Sequence, residues 1–176
     1  MGTNGSRPRQ WSRRPWLERT KSEAAYHAQL NKGRLIVSAP PRPDAPPIAR
    51  RRSRVHGWGV FALAPISKNK RIVEYAGELV QNARATPRET RYLKDGCIWC
   101  FQLNRLWVID AGVGGNIARF INHSCQPNCH SRIEGGLIWI CASRTIKAGE
   151  ELSYNYFTEG AGEIPCRCRA GCQNML

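Results

Sequence analysis

Three tyrosines, one Asn-His pair and a set of clustered thiols are the residues of this chain with chemistry to offer. Tyr75 lies in Glu74-Tyr75-Ala76-Gly77-Glu78, where a ring at a strand end before a glycine can line a pocket. Tyr154 and Tyr156 lie in Gly149-Glu150-Glu151-Leu152-Ser153-Tyr154-Asn155-Tyr156. Residues two apart on a strand share a face, so these rings can form two walls of one slot. Arg119 to Asn128, reading RFINHSCQPN, packs hydrogen-bonding groups, a thiol and a Pro-Asn turn into ten residues, a mixture no core element needs. In His56-Gly57-Trp58-Gly59 two glycines let backbone approach a ligand, and Trp58 offers a flat apolar face.

The thiols divide into kinds. Cys166, Cys168 and Cys172 crowd the C-terminal tail. A disulfide across one residue is strained, whereas three close thiolates suit zinc, which takes four ligands. Cys97 and Cys100 form a CxxC with no partner pair and read as strand core, as do Cys129 and Cys141.

These segments need a scaffold of short strands. Apolar runs cover Val60–Leu63 and Ile72–Val80, and strands are expected over Cys97–Leu103, Leu106–Ile109 and Glu151–Tyr156. Gly135-Gly136 between Ser131–Glu134 and Leu137–Cys141 signals a hairpin. Thr86-Pro87-Arg88-Glu89 is a helix-start pattern, predicting a short helix through Leu93. Residues 1–49 read as a basic, Pro-rich arm, with a short helix expected within 18–32 and a stiff linker from Ala39 to Pro47.

Composition narrows the class. The 176 residues carry eight cysteines, six tryptophans and a net charge of +14. Residues 1–54 account for +10 of that charge, so the arm is a candidate for contact with nucleic acid. The first 20 residues have no apolar run resembling a signal peptide, and no stretch has the length of a membrane span. An intracellular protein with reduced thiols is expected.

Taken in order, HGWG, EYAGE, RFINHSCQPN and GEELSYNY resemble the signature of SET-domain protein-lysine methyltransferases, and DAGVGGNIARFI resembles the approach to the third motif. The resemblance runs from about Ser53 to Leu176. It implies a mainly β fold of small curved sheets with short helices, the third and fourth motifs crossing in a pseudo-knot, an exception to the rule against knots. The divisions it implies are a 1–49 arm, a 50–158 SET domain and a 159–176 post-SET zinc tail. It further implies methyl transfer from S-adenosylmethionine (SAM) to a protein lysine.

Carried over by residue, the resemblance assigns SAM binding to His56, Gly57, Trp58, Arg119, Asn122 and His123. Tyr156 matches the catalytic tyrosine. Tyr75 and Tyr154 match positions lining the lysine channel, and Tyr154 occupies the position that tunes the number of methyls added, here favouring one or two. Cys125 would join Cys166, Cys168 and Cys172 in a zinc site. Ser153 stands where Thr is common and Asn155 where Asp is common. The tail has three residues between its second and third Cys where four are more frequent.

The chemistry fits these roles. A free lysine amine has a pKa of about 10.4 and is protonated at neutral pH. A narrow apolar channel and a nearby sulfonium both disfavour that cation. What remains is an in-line displacement, which needs orientation more than proton transfer. The expected substrate is a histone or another basic DNA-associated protein, modified by a monomeric enzyme. The expected compartment is the nucleus or chromosome if the source is eukaryotic, and the cytoplasm or nucleoid if bacterial. Two alternatives are a catalytically inert SET-like binding module and a nucleic-acid-binding protein acting mainly through its arm.

Overall fold

The computed structural model describes residues 27–31, 33–158 and 164–176. Four small sheets and one α-helix make up the described chain. Strands β1 (His27–Asn31), β2 (Arg34–Ser38), β6 (Gly77–Gln81), β8 (Trp107–Asp110) and β7 (Cys100–Gln102) form the largest sheet, in that order. A second sheet runs β10 (Cys129–Glu134), β11 (Leu137–Ala142), β5 (Arg71–Glu74). The remaining two are β3 (Ile48–Arg52) with β4 (Trp58–Ala62), and β9 (Asn122–His123) with β12 (Ser153–Tyr154). One continuous core joins them. Val60, Ile66, Ile109, Ile121, Ile138, Ile140, Ile146 and Leu152 are each at most 1% exposed within it.

The diglycine hairpin forms as its sequence expects. Glu134 pairs with Leu137, and both glycines take positive φ (58° and 77°), the conformation of a tight turn that matches strand twist. The third and fourth motifs meet in β9 and β12, which pair in parallel through Ser153 with Asn122 and Tyr154 with His123. That pairing brings together the two segments that the resemblance expects to meet. The last strand is shorter than the apolar pattern suggests, two residues rather than Glu151–Tyr156.

Other expectations change. Ile72–Val80 is not one strand: β5 and β6 enter different sheets, breaking at Tyr75-Ala76. A Cβ on Gly77 would strike the Asp110 backbone, so the residue after the break must be small. Helix α1 spans Asn82–Lys94 and therefore begins a turn before Thr86-Pro87. The Asn82 amide donates to the Leu106 carbonyl (3.0 Å) and its side chain to the Arg105 carbonyl (2.9 Å), tying the helix start to the sheet. Pro87 is then an interior residue without an N–H for the Ala83 carbonyl. Tertiary anchoring outweighs that loss.

A buried ionic cluster holds the helix down. Arg88 Nη1 bridges Glu78 Oε2 (2.6 Å) and Asp110 Oδ2 (2.8 Å), and Tyr92 donates to the same Asp110 oxygen (3.2 Å). Asp110 is fully buried. Chain assigned to the arm also joins the fold. Residues 27–31 are strand β1, not helix, and β2 pairs with β6 through Ile36–Glu78. Within the Ala39–Pro47 linker, Arg42 donates to the Arg71 carbonyl (2.8 Å) and lies over the Trp139 ring. The rest of the helix expected within 18–32 lies outside the described residues.

Candidate functional site

A cavity of about 440 Å³ opens between the β3–β4 turn, the C-terminal end of α1, the Ile117–Phe120 3₁₀ turn and the C-terminal tail. His56, Gly57, Trp58, Arg119, Asn122 and His123 all line it, and so does Tyr156. Gly57 reaches this wall with φ +45°, open space where a Cβ would project. Gly59 has a different task from the one its sequence suggests. It is buried away from the cavity, and a side chain there would strike the Glu151 carboxylate.

Glu151 explains how distant motifs are locked. Its Oε1 accepts from Asn122 Nδ2 (2.8 Å) and its Oε2 from the Ser53 hydroxyl (3.0 Å). Asn122 Nδ2 also donates to the Trp58 carbonyl (3.0 Å), joining the first and third motifs directly. Asn128 donates to the Glu151 carbonyl (2.8 Å) and accepts from the Ser153 amide (2.9 Å). Residue type alone marks neither Glu151 nor Asn128, because their partners are 23 to 98 positions away in sequence.

Behind the cavity stands an aromatic group. Tyr154 and Tyr156 have ring centroids 4.8 Å apart; Tyr154 stacks on Phe101 (5.7 Å, 11°), and Phe101 meets Tyr75 edge-on (5.2 Å). The Tyr156 hydroxyl donates to the Ile121 carbonyl (2.8 Å) and that of Tyr75 to the Trp99 carbonyl (3.1 Å). Burial pushes Tyr75 and Tyr154 well above the usual phenol range and raises Tyr156 as well. These phenols are neutral groups whose hydrogen-bonding geometry, not charge, acts on a neighbour. Phe101 and Trp99 are not among the residues the motifs single out; the strand pattern around Cys97–Leu103 is their only signal.

His123 accepts from the Tyr156 amide at Nδ1 (3.3 Å), which leaves Nε2 to donate toward Cys125 Sγ (3.3 Å). Burial lowers its pKa, so the ring is neutral at pH 7. Arg119 lies over the Trp99 and Phe120 rings (5.2 and 4.8 Å) and donates through Nη1 to the Ala111 carbonyl (3.2 Å). Its buried Nε has no partner among the described residues.

Cys125, Cys166, Cys168 and Cys172 converge, with all four Sγ atoms within 4.8 Å of one another. Cys125 Sγ is 3.7 Å from Cys166 Sγ and 3.9 Å from Cys172 Sγ. Tetrahedral Zn–S bonds of about 2.3 Å require sulfurs about 3.8 Å apart, so the set fits a metal ion of that type. The three-residue interval between Cys168 and Cys172 does not prevent closure. Paired backbone bonds between Ile164 and Leu176 (3.3 and 2.8 Å) hold the tail ends together beside the cavity. Cys129 and Cys141 are core thiols, 1% exposed. Burial raises Cys100 to about 12, in keeping with an inert packed thiol. Cys97 departs from the expectation of strand core: it lies outside β7, partly exposed, on the cavity wall.

A mainly β domain whose paired β9–β12 segments set a tyrosine pair beside a cavity, closed by a cysteine-bearing tail, defines a narrow class. A family model for the SET domain matches residues 57–157, and the chain belongs to that family. It is 45% identical over 140 residues to a protein of Yarrowia lipolytica named "Histone-lysine N-methyltransferase, H3 lysine-4 specific", covering 74% of this chain and 12% of that one. A histone-lysine N-methyltransferase of Arabidopsis thaliana is 46% identical over 126 residues, covering 68% of this chain and 9% of the relative. An H3 lysine-4 specific enzyme of Saccharomyces cerevisiae is 40% identical over 168 residues, covering 89% and 14%. The chain thus spans about a tenth of the length of these relatives.

Proposed function

We propose that this protein transfers a methyl group from SAM to a lysine side chain of a histone. The observation that carries the reading is the convergence of Asn122, His123 and Tyr156 from distant segments on one cavity. The relatives' names point to histones, and to lysine-4 of H3 as the first site to examine.

The residues fit the cofactor. The cavity has the volume of a small-molecule site. The free Arg119 Nε is a buried donor that an anionic or carbonyl group of a ligand would satisfy. His56, Gly57, Trp58, Arg119, Asn122 and His123 would hold SAM, which supplies an electrophilic methyl. The tyrosines would work on the lysine. The apolar surround of Tyr75, Phe101 and Tyr154 disfavours the ammonium form and leaves a nucleophilic amine. Tyr156, held by the Ile121 carbonyl, shapes the point where amine and methyl meet, so its contribution is orientation. Tyr154 narrows the channel and favours mono- or dimethylation. Cys125, Cys166, Cys168 and Cys172 would bind zinc and hold the tail against the cavity.

The enzyme would act as a monomer in the nucleus or on the chromosome. Among the described residues no helix is long and apolar enough to cross a membrane. The test is incubation with labelled SAM and a panel of histones and basic DNA-binding proteins, with mass spectrometry to locate the modified lysine. Label on a histone lysine is the expected result; SAM binding without transfer to any substrate would favour an inert module.

A further inference from the structure

Beside the cavity, arginines of the β3–β4 pair lie over aromatic rings. Arg50, Arg51 and Arg52 end β3, and Arg54 follows in the turn; all four are exposed. None forms an ion pair or side-chain hydrogen bond with another described residue. The guanidiniums of Arg50 and Arg52 lie 4.6 and 4.4 Å from the Trp58 ring centroid, and Trp58 is 38% exposed. Arg50 also lies over Phe120 (4.9 Å), whose ring is shared with Arg119 at the cavity. Arg52 and Trp58 are direct cross-strand partners, and residues 50 and 52 share a face of the strand.

This arrangement concentrates charge that folding does not neutralise. Four cations within five residues repel one another, and two are held in place on a single ring rather than left to spread into solvent. Elsewhere among the described residues, some surface cations have partners: Lys70 has Asp44, Arg71 and Arg132 have Glu134, and Arg144 has Glu150. Others are unpaired, as Lys68, Arg84, Lys94 and Arg105 are, but no other five consecutive residues hold four cations. A polymer of closely spaced anions complements the β3 edge and its turn, since each phosphate contact also releases condensed counterions. Guanidinium forks suit phosphate oxygens geometrically.

We propose that this edge strand and its turn, with Arg50 and Arg52 on one side and Arg51 on the other, dock on the phosphate backbone of duplex DNA, without base specificity, beside the cofactor cavity. The choice of DNA among anionic polymers rests on the histone reading above, whereas the charge pattern stands independently of it. The contact is distinct from the basic arm, because Arg50, Arg51 and Arg52 stand on a paired strand and Arg54 in the turn that follows it.

Fluorescence anisotropy of a short mixed-sequence duplex, titrated with the full chain across a salt series, tests this. Arg51→Glu with Arg54→Glu is the main variant, because neither side chain contributes a hydrogen bond, ion pair or ring contact to the fold. Arg50→Ala with Arg52→Ala is the second. Either pair should weaken binding at least about tenfold and lower the salt slope by about 2, near 0.9 per lost phosphate contact. Unchanged affinity in both pairs would overturn the proposal. So would loss confined to Arg7→Ala, Arg9→Ala, Arg13→Ala and Arg14→Ala in the arm, or wild-type preference for single-stranded RNA or anionic vesicles over duplex. Methylation of a free histone peptide is measured in parallel and should not change in the Arg51/Arg54 variant. A wild type that binds DNA through this face but methylates no peptide would refute the catalytic reading and leave the docking face standing.

Discussion

Tyr154 and Tyr156 stand with ring centroids 4.8 Å apart and planes inclined by 46°, yet among the described residues only the Tyr156 hydroxyl is tied to backbone, at the Ile121 carbonyl (2.8 Å). Two identical side chains, two residues apart, thus have different surroundings. Tyr156 lines the cavity; Tyr154 lies behind it against Phe101. Removing one oxygen from each separates their roles. On the proposed role, Tyr156→Phe should lose most turnover, because the hydroxyl anchored at Ile121 is gone. Tyr154→Phe should keep the aromatic wall and shift product toward higher methylation by opening space. Intact-mass analysis of a methylated histone peptide reads both. An unaltered product distribution in Tyr154→Phe would reject its assignment as the methyl-count residue.

Asn122→Ala removes one amide that serves both the Trp58 carbonyl and Glu151. The site is 8% exposed, so those acceptors are left poorly solvated. A loss of about 1–3 kcal/mol in SAM binding is expected, from five- to over a hundredfold in affinity. Calorimetry with SAM measures it. The chain should remain folded, since the β9–β12 pairing uses backbone groups.

Metal analysis of the purified chain should find one zinc. Cys125→Ser should release it together with activity, because Cys125 is the sulfur that joins the tail to the β9 segment. A strong chelator should reproduce that loss, and added zinc should reverse it. Full activity in metal-free protein would remove the metal from the site.

Arg88→Ala should destabilise the fold by roughly 3 kcal/mol in chemical denaturation, through the loss of both ion pairs rather than one. The arginine lies between a fully buried Asp110 and an almost buried Glu78, and its removal leaves two carboxylates facing each other. Asp110→Asn should cost less, since Arg88 keeps Glu78.

Stability should fall at high pH. Tyr75, Tyr92, Tyr154 and Tyr156 all have folded pKa values raised, primarily by burial. An unfolded phenol ionises near pH 10, below the folded values. The stability these rings contribute is therefore whole below about pH 10 and is lost as pH climbs toward the folded values. Phenolate absorbance should show these four silent while the chain is folded, then appearing together with loss of structure. Gradual ionisation in the folded protein would contradict their burial.

Sequence alone determined the chemistry on offer: residue types in HGWG, EYAGE, RFINHSCQPN and GEELSYNY, the Gly135-Gly136 hairpin, and a tail of thiols suited to zinc. Those features are local. A diglycine turn and the face shared by residues 154 and 156 follow from backbone geometry over a few residues. Tertiary structure decided what depends on contacts between distant positions. It moved the start of α1 from Thr86 back to Asn82, because Asn82 bonds to the 105–106 carbonyls. It split the apolar run at Tyr75 between two sheets, although alternation of apolar residues carries no mark of which sheet a strand joins. It set Glu151 and Asn128 as the clamp between distant segments, and it placed Cys97 on the cavity wall, not in the core. Periodicity records which face of an element is apolar; only packing selects the partner that the face meets.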